Sequence, residues 1–385
     1  MIAVISDDFT GAAEIGGIGL RNGLKVVIET GHIQSCNADL LVIAADTRSL
    51  PAAEASKLIE RITYRLLELK PACVYKKIDS VLRGNIADEI FAMMKVAGKK
   101  RGVIVAANPV FKRIIKDGVY YIDNVPLKET SFSADPEWPA RSSSVLEIIG
   151  KKEFVCNCKH DDILPEEGLI IGDVEDNEDL NRWANHVDAQ TLPVGASGFF
   201  HALLKKHGAL PGKSLSSVLP FAEKRLYLLG SAFPKAPEFF DKLGKYGFYS
   251  SNIPDEIYCN RNYDPMHLEA WSDDVVKGLN IRQKVVVSIV HDAIDESDIA
   301  LRIRETIGKL VNKVMEKTEL NEILIEGGGT TSAVLQSLGI NSLIPFEELA
   351  TGVIRMKIEE KANLCLTTKP GSYAWPESVW FPVSD

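Results

Sequence analysis

Short apolar runs rich in β-branched residues alternate with segments of helical hydrophobic periodicity along most of this chain. The apolar runs cover residues 2–6, 26–29, 40–44, 74–77, 103–106 and 169–171 in the first half, and 226–229, 285–289 and 323–325 in the second. The helical segments include residues 51–69, 86–97, 237–246, 265–278 and 297–317. This alternation is typical of parallel sheets whose strands are joined by crossover helices. It therefore predicts an α/β fold.

The chain is long enough for two domains, because its 385 residues exceed the roughly 150 residues of a common single domain. Residues 207–217 contain the Gly, Pro and Ser residues of a linker. We place the boundary near residue 212, which gives domains of residues 1–211 and 212–385. Each is expected to contain a mainly parallel sheet with flanking helices. Residues 118–127 instead alternate at period two around Asp123-Asn124, which predicts a β-hairpin inserted into the first domain.

The charge balance limits the partners that the protein can have. The chain contains 44 Lys and Arg against 53 Asp and Glu, a net charge of −9, so it repels nucleic acid and anionic membranes. An anionic ligand therefore needs a local group of cations. The six cysteines are scattered, no basic segment precedes the first apolar run, and no apolar run approaches the roughly 18 residues of a membrane span. We expect a cytoplasmic protein with neither nucleic-acid nor membrane partners.

Three segments resemble known binding motifs without matching them. Residues 208–214 resemble a phosphate-binding loop but have three residues between the glycines instead of four. The glycines within residues 17–23 come too late after the first strand for a dinucleotide fingerprint, so close packing is the expected role. Residues 156–160 offer Cys and His ligands without a second pair to complete a metal site, so a surface turn is expected there.

Two adjacent carboxylates, Asp7 and Asp8, stand where the first predicted strand ends and a helix begins. The carboxyl edge of such a sheet is where ligands bind in α/β folds. One of the two carboxylates can cap the helix N-terminus. The other interpretation is that they accept hydrogen bonds from hydroxyl groups of a substrate, and both interpretations remain open.

Cations and a carboxylate follow the strand predicted at residues 74–77. Lys77, Asp79, Ser80 and Arg83 lie at its carboxyl end, and Arg113 lies in a basic segment after the strand at residues 103–106. Such a group can receive a polyhydroxy acid, with a guanidinium taking a carboxylate in two parallel hydrogen bonds. The alternative is an Asp79 helix cap beside surface cations.

A glycine-rich turn in the second half indicates a phosphate site. The strand at residues 323–325 leads into Glu326 and then into three glycines and a threonine, Gly327, Gly328, Gly329 and Thr330. Bare amides at the start of a helix can approach an anion closely. The other walls of this site are expected from Gly230-Ser231, after the strand at residues 226–229, and from Gly371.

These motifs together resemble the four-carbon acid sugar kinase family, whose members phosphorylate erythronate, threonate and 3-oxo-tetronate with ATP. The resemblance spans nearly the whole chain. Its strongest parts are the segments at residues 7–12 and 77–84. Further matches follow at residues 109–113, 118–120, 125–127, 129–130 and 135–136. It implies a sugar-acid domain followed by a nucleotide domain, with the nucleotide held at Ser231, Gly327, Gly328, Gly329, Thr330 and Gly371.

The second half departs from the family pattern at two places. Gly329 stands where members usually carry an acidic residue, and residues 232–237 replace a small, hydroxyl-rich stretch. The missing acid would be a natural ligand, direct or through water, for nucleotide-bound magnesium.

The sequence therefore predicts a kinase that uses ATP and Mg²⁺ to phosphorylate a sugar acid. The acid is expected to bind through Asp7, Asp8, Lys77, Asp79, Ser80, Arg83 and Arg113. Asp8 is the candidate general base, with Asp79 next. The alternative is a degenerate family member that acts as a sugar-acid-binding or regulatory protein with weak or no kinase activity. Assembly into a homo-oligomer is left open. A nicotinamide-dependent dehydrogenase would need a glycine fingerprint directly after a strand, which the sequence lacks.

Overall fold

The computed structural model describes residues 1–31, 33, 37–135, 137–150, 153–208, 219–230, 237–289, 291 and 298–381. The chain forms two compact units, Met1–Ser214 and Leu215–Asp385. The predicted boundary near residue 212 and most of the predicted linker lie outside the described residues. Among the described residues, no helix is both long and apolar enough to cross a membrane.

The described part of the first unit contains a parallel sheet. Its strands are β1 (Ile2–Ser6), β2 (Val26–Glu29), β3 (Leu40–Ala44), β4 (Cys73–Lys77), β5 (Arg101–Val105), β9 (Val155–Cys158), β10 (Gly168–Gly172) and β11 (Thr191–Gly195), with β6 to β8 described below. Their order across this unit is β2-β3-β1-β4-β11-β5-β10-β9, and neighbouring strands are parallel. Most of these strands are apolar and buried, as expected for a parallel sheet covered on both faces. The exceptions are β4, which ends in two buried lysines, and β9, which is only partly buried.

Helices connect these strands because their apolar residues recur at helical spacing. The α-helices of this unit are α1 (Phe9–Arg21), α2 (Ala52–Glu68), α3 (Ile86–Ala97), α4 (Val145–Ile149), α5 (Asn177–Asn185) and α6 (Ser197–Lys206). In α2, Ala55, Ile59, Ile62 and Leu66 recur three or four residues apart and are all buried. The helix predicted at residues 51–69 is confirmed, with the correction that Pro51 is its N-cap and not its first helical residue.

The inserted hairpin is confirmed and is part of a three-stranded antiparallel sheet. Its strands are β6 (Arg113–Lys116), β7 (Val119–Ile122) and β8 (Val125–Pro126). The turn residues Asp123 and Asn124 have φ of 50° and 64°, the left-handed conformation that a two-residue hairpin loop requires. Short 3₁₀ helices at Pro109–Phe111, Leu127–Glu129 and Ser131–Ala134 flank this sheet.

Two of the motif-like segments have structural roles. Gly19 packs α1 against the sheet, because a Cβ at that position would lie 2.5 Å from Leu40 Cδ2 and 2.8 Å from Val26 Cγ2. The expected packing role of this glycine is confirmed. The surface turn expected at Cys156 and Cys158 is wrong, since both residues belong to strand β9. Among the described residues no cluster of His, Cys, Asp and Glu could hold a metal ion.

The described part of the second unit contains a mixed sheet. Its strands are β12 (Arg225–Leu229), β13 (Tyr249–Asn252), β14 (Lys284–Ser288), β15 (Glu322–Glu326), β16 (Ser342–Ala350), β17 (Val353–Ile358) and β18 (Cys365–Lys369). Strands β13-β14-β12-β15-β18 are parallel in that order, and β17 and β16 continue the sheet in antiparallel fashion. The α/β class with mainly parallel sheets is therefore confirmed, and the antiparallel strands were not predicted.

The helices of the second unit lie between these strands along the chain, except for the last helix, which follows β18. They are α7 (Pro237–Lys245), α8 (Asp255–Tyr258), α9 (Pro265–Arg282), α10 (Ile299–Lys317), α11 (Gly328–Leu338) and α12 (Glu377–Trp380). The predicted glycine turn needs a correction, because the strand extends to Glu326 and α11 already begins at Gly328. Only Gly327 lies between the two elements, with a φ of 103° that favours glycine.

Candidate active site

Strand register brings three polar turns of the first unit to one edge of its sheet. Ser6 at the end of β1 is paired with Ala44 of β3 and with Lys77 of β4. The three strands are parallel and end at the same level. The residues that follow them therefore meet at the carboxyl edge, where α/β sheets bind ligands.

Asp8 caps helix α1 at this edge. Its Oδ1 accepts a hydrogen bond of 2.8 Å from the Gly11 amide, and its Oδ2 accepts one of 2.6 Å from the Thr10 hydroxyl. The structural interpretation of one carboxylate as a helix cap is therefore correct for Asp8. A role toward a substrate hydroxyl is an additional prediction that this geometry leaves standing.

Arg48 joins the carboxylates that follow β1 and β4. Its guanidinium lies 2.8 Å from Asp7 Oδ2, 3.0 Å from Asp8 Oδ2 and 3.8 Å from Asp79 Oδ1. Sequence reasoning missed this residue. The polar segment at residues 46–49 begins two residues after the end of β3, and this position after a parallel strand was the signal that could have identified Arg48.

The cations of this edge lower the pKa values of two buried carboxylates, Asp8 and Asp79. Burial alone would raise the pKa of Asp8, but the Arg48 guanidinium and the Lys77 ammonium outweigh it and lower that pKa. Burial also opposes the charge of Asp79, yet Arg83 and Arg48 hold its pKa far below the usual value. We call Asp7, Asp8, Arg48, Asp79 and Arg83 the carboxylate–arginine cluster.

Arg83 is engaged with carboxylates of the protein itself. Its Nε and one terminal nitrogen donate hydrogen bonds of 2.9 Å each to the two oxygens of Asp79. Its other terminal nitrogen donates one of 2.8 Å to Asp135 Oδ2. The edge of the Arg83 guanidinium that could form two parallel hydrogen bonds to a substrate carboxylate is thus occupied by Asp79.

Arg113 differs from Arg83 in its partners. It donates a short hydrogen bond to the hydroxyl of Ser80, whose backbone carbonyl accepts a 2.5 Å hydrogen bond from Tyr120. Among the described residues no carboxylate forms an ion pair with Arg113. The guanidinium carbons of Arg83 and Arg113 lie 5.5 Å and 5.7 Å from the centre of the Phe132 ring, which the two cations share.

One oxygen of the cluster has unused capacity for a hydrogen bond. Asp7 is 3% exposed, and its Oδ1 is buried without a hydrogen-bond partner among the described residues. A buried acceptor without a donor is costly, so an atom in this state indicates a group that arrives from outside.

Lys77 lies beneath the turn of residues 7–11. Its Nζ donates to the Ile78 carbonyl at 2.9 Å and lies 3.7 Å from Glu14 Oε2. A Cβ at Gly11 would lie 3.1 Å from this ammonium and 2.8 Å from Asp8 Oδ1. The absence of a side chain at Gly11 therefore allows the cap and the cation to approach each other.

A pocket of about 410 Å³ adjoins the Arg83 side of the cluster. Its lining includes Leu82, Arg83, Phe132, Trp138 and Arg141. This volume falls within the usual range for a small organic ligand, and the lining combines aromatic rings with cations.

In the second unit, three strand ends likewise meet at one edge. Leu229 of β12 is paired with Glu326 of β15, which is paired with Lys369 of β18. Gly230 follows β12, and a Cβ there would overlap the hydroxyl of Thr330 in the first turn of α11. Gly230 and Thr330 are therefore brought together, whereas Ser231 lies outside the described residues.

A buried ion pair supports the segment that contains Gly371. Lys369 Nζ lies 3.0 Å from Glu326 Oε2, and both side chains are fully buried. The same ammonium donates to the carbonyls of Pro370 at 3.0 Å and Gly371 at 3.4 Å. The Trp375 indole N–H donates to Glu326 Oε2 at 3.0 Å. The Glu326 carboxylate is thus used within the protein.

Among the described residues, the side chain that lies against Gly329 does not fit a magnesium ion held by the protein. A Cβ at Gly329 would lie 2.7 Å from Nε and Cζ of Arg304. A guanidinium therefore lies against the position at which family members usually carry an acidic residue. Magnesium prefers carboxylate and other oxygen ligands.

Two family models match the chain, one in each half. Residues 2–203 match a sugar-binding N-terminal domain, and residues 263–373 match a nucleotide-binding C-terminal domain. The first match alone covers more than half of the chain.

Curated relatives are similar to this chain over most of their length. They include a D-threonate kinase of Salmonella typhimurium, 26% identical over 365 residues that cover 87% of this chain and 86% of the relative. A D-erythronate kinase of Heliobacterium modesticaldum is 24% identical, with coverage of 89% and 86%. A 3-oxo-tetronate kinase of Haemophilus influenzae is 26% identical, with 97% of each chain covered.

Solved structures share the fold. A Salmonella typhimurium protein described as a putative tRNA synthase superposes with a TM-score of 0.76 at 20% identity, covering 97% of this chain and 96% of the other. A Haemophilus influenzae protein described by a domain of unknown function gives a TM-score of 0.70 at 24% identity, with 97% of each chain covered.

A sugar-binding domain followed by a nucleotide-binding domain defines a phosphotransferase with an alcohol group as acceptor. More particularly, the chain belongs to the four-carbon acid sugar kinase family.

Proposed function

We propose that this protein uses ATP to phosphorylate a hydroxyl group of a four-carbon sugar acid of the threonate, erythronate or 3-oxo-tetronate type. The proposal is carried by Asp7 Oδ1, a buried acceptor without a donor among the described residues, inside the carboxylate–arginine cluster. A substrate hydroxyl would supply the missing hydrogen bond. The names of the relatives agree with this class of substrate.

The sugar acid binds, in this proposal, to the domain of residues 1–211. Arg113 takes the carboxylate of the acid, because its guanidinium has no protein carboxylate among the described residues, whereas Arg83 is occupied by Asp79. Asp7 and Asp8 face the hydroxyl groups. Lys77, Asp79, Ser80 and Arg83 hold this arrangement in place and limit the shape of the acid that can enter.

The nucleotide binds to the domain of residues 212–385. Support comes from the match of residues 263–373 to a nucleotide-binding model and from the first turn of α11. The N-cap residue Gly327 makes no side-chain cap, so the amides of Gly328, Gly329 and Thr330 are suited to a phosphate group. Ser231 and Gly371 are assigned to the same site, and magnesium enters it as the complex with ATP.

Phosphoryl transfer requires chiefly alignment of the attacking hydroxyl and stabilisation of charge. A base with a low pKa has little driving force to take a proton, so the lowered pKa of Asp8 suits a carboxylate that orients the hydroxyl. Both of its oxygens already accept hydrogen bonds, whereas Asp7 has an unused oxygen. We therefore propose that Asp8 orients the attacking hydroxyl and that the unused oxygen of Asp7 accepts the proton of this hydroxyl.

The test is an assay of ADP release with each candidate acid. Purified protein mixed with Mg-ATP and each acid in turn is expected to form ADP with one of the three acids. The second product is a phosphate ester of that acid, which resists acid hydrolysis. Tight binding of the acid without ADP release would instead favour the alternative of a sugar-acid-binding protein. The observation that supports this alternative is the missing carboxylate at Gly329.

A further inference from the structure

A buried ion pair joins the ends of strands β15 and β18 in the second unit. Glu326 and Lys369 are the last residues of these strands and are paired in register. Lys369 Nζ lies 3.0 Å from Glu326 Oε2, and both side chains are fully buried. Gly327 follows Glu326, and its amide donates a 3.0 Å hydrogen bond to the Lys369 carbonyl. Lys369 therefore connects the turn that precedes α11 with the segment that follows β18.

Lys369 also fixes the first peptide groups after its own strand. Its ammonium donates to the carbonyl of Pro370 at 3.0 Å and to that of Gly371 at 3.4 Å. The Pro370 carbonyl also accepts a hydrogen bond of 3.1 Å from the Tyr373 amide. In a planar trans peptide group, the C=O and N–H bonds point in opposite directions. Because the Pro370 carbonyl faces Lys369, the amide of Gly371 in the same peptide group faces away from it.

Two amides of this segment have no acceptor in the described part of the protein. The N–H groups of Gly371 and Ser372 donate no hydrogen bond to any described residue. Gly371 is half-buried and Ser372 is exposed, so a ligand can reach both amides. Successive free amides can bind an anion. The segment thus offers two donors on the side that faces away from Lys369.

We propose that Lys369 is a positioning residue of the nucleotide site and that it turns the amides of Gly371 and Ser372 toward a phosphate group of the nucleotide. The inference rests on the proposed function, which assigns Gly371 to that site. It adds the Lys369–Glu326 pair to the parts of the protein on which nucleotide affinity depends. Lys369 acts through the backbone, since its own side chain is fully buried.

The chemistry of the ion pair supports a positioning role. Burying two charges costs free energy that a pair of apolar side chains would not require. An ammonium group has three N–H donors, which apolar side chains lack. Three oxygens lie around this one, from Glu326, Pro370 and Gly371. Glu326 is itself held by a 3.0 Å hydrogen bond from the Trp375 indole N–H.

Calorimetric titration of the full chain with ADP in magnesium tests this role. The double variant Lys369→Met/Glu326→Gln removes both charges, so neither charge stays buried without its partner. It should bind the sugar acid as the wild type does, but bind ADP about 10- to 100-fold more weakly, the effect of losing a hydrogen bond to a charged group. The Michaelis constant for ATP should rise while that for the acid stays unchanged.

The matched control is the double variant Lys76→Met/Glu89→Gln. Lys76 and Glu89 form an ion pair of 2.6 Å in the first unit, with side chains that are 0% and 2% exposed. The same substitutions remove a buried pair of the same kind, so a general loss of stability should appear in both double variants. ADP affinity should be unchanged in this control.

Amide hydrogen exchange in the wild-type protein tests the inference without any variant. With isotope-labelled glycine, NMR resolves the exchange of single glycine amides. Saturating ADP should slow exchange at the Gly371 amide by about tenfold, because this N–H becomes bonded to a phosphate oxygen. Exchange at the amide of Gly150, which ends helix α4 in the first unit, should not change.

The outcomes separate this inference from the proposed function. The inference is wrong, and the kinase proposal stands, if the Lys369 double variant binds ADP like the wild type or if the Lys76 control loses as much affinity. It is also wrong if bound ADP leaves exchange at Gly371 unchanged, and this measurement decides alone if the Lys369 double variant does not fold. If the wild type binds no ADP, the nucleotide site and the inference both fail.

Discussion

The guanidinium of Arg83 holds both carboxylate oxygens of Asp79 through two hydrogen bonds of 2.9 Å. This pair fixes the turn after β4, because Asp79 Oδ2 also accepts from the backbone amides of Val81 and Arg83 at 3.2 Å. The pair also means that Arg83, one of the two arginines expected from the sequence to bind the sugar acid, already binds a carboxylate of the protein. The neighbouring Arg113 has none among the described residues.

Arg113→Ala is expected to weaken sugar-acid binding by about 10- to 100-fold, because it removes a charge-assisted contact to the substrate carboxylate. The Michaelis constant for the acid should rise while that for ATP stays unchanged. Lys112→Ala is the control, since Lys112 is 76% exposed and pairs with the exposed Asp123. Equal Michaelis constants for Arg113→Ala and Lys112→Ala would rule out this role.

Asp7→Asn and Asp8→Asn should differ in their kinetics. Asp7→Asn removes the charge next to the unused oxygen and should lower kcat by about 100-fold or more, the usual contribution of a group that accepts a proton. Asp8→Asn should lower kcat as well, with substrate binding largely retained, and should loosen the start of α1. Turnover at the wild-type rate in Asp8→Asn would exclude Asp8 from catalysis, and the same result in Asp7→Asn would exclude Asp7.

Arg48→Ala should make the protein more sensitive to acid. The pKa values of Asp8 and Asp79 are lowered in the folded state, so their stabilising contribution is present above the unfolded value of about 4 and is lost as the pH falls through the folded values. Without Arg48 the folded pKa of Asp8 rises, and acid unfolding should begin at a higher pH.

Circular dichroism during an acid titration measures this change. Arg61→Ala, which removes an exposed arginine from helix α2, is the control and should unfold at the wild-type pH. An identical acid-unfolding curve for Arg48→Ala would show that Arg48 does not stabilise the ionised carboxylates.

Gly230→Ala should disturb the nucleotide site selectively. The added methyl group would overlap the hydroxyl of the buried Thr330, at an expected cost of about 1–3 kcal/mol in the free energy of unfolding. Nucleotide affinity should fall while sugar-acid affinity is retained. Gly244→Ala in helix α7, where a Cβ meets nothing within 4 Å, should instead stabilise the protein slightly in urea unfolding. Unchanged ADP binding in Gly230→Ala would contradict the placement of the phosphate site.

Most of the parallel strands could be predicted because burial on both faces requires continuous apolar runs. The turn at Asp123-Asn124 could also be predicted from the sequence, since its left-handed conformation restricts the residues that can occupy it. The strand at Tyr249–Asn252 was not predicted because most of its residues are polar and only Ser251 is buried. Strands β16 and β17 were not predicted because their apolar residues alternate with polar ones. They also follow a series of parallel strands joined by helices, which gave no reason to expect antiparallel strands.

The candidate site could be predicted in its residue types but not in its pairings. Position after a strand identified Asp7, Asp8 and Asp79, because strand ends are fixed by the fold. Which guanidinium meets which carboxylate depends on side-chain geometry across elements 41 residues apart in sequence, as for Arg48 and Asp7. The contact of Arg304 with Gly329 has the same origin and left no signal in either segment alone.

The most direct measurement is the formation of ADP and of a new phosphate monoester when the purified chain is mixed with Mg-ATP and D-threonate, D-erythronate or a 3-oxo-tetronate. Phosphorus NMR distinguishes the ester from free phosphate. We expect equal amounts of ADP and ester with at least one acid, and a strongly reduced rate with Arg113→Ala at low acid concentration. ADP formation that is independent of every acid and accompanied only by free phosphate would contradict the proposed function.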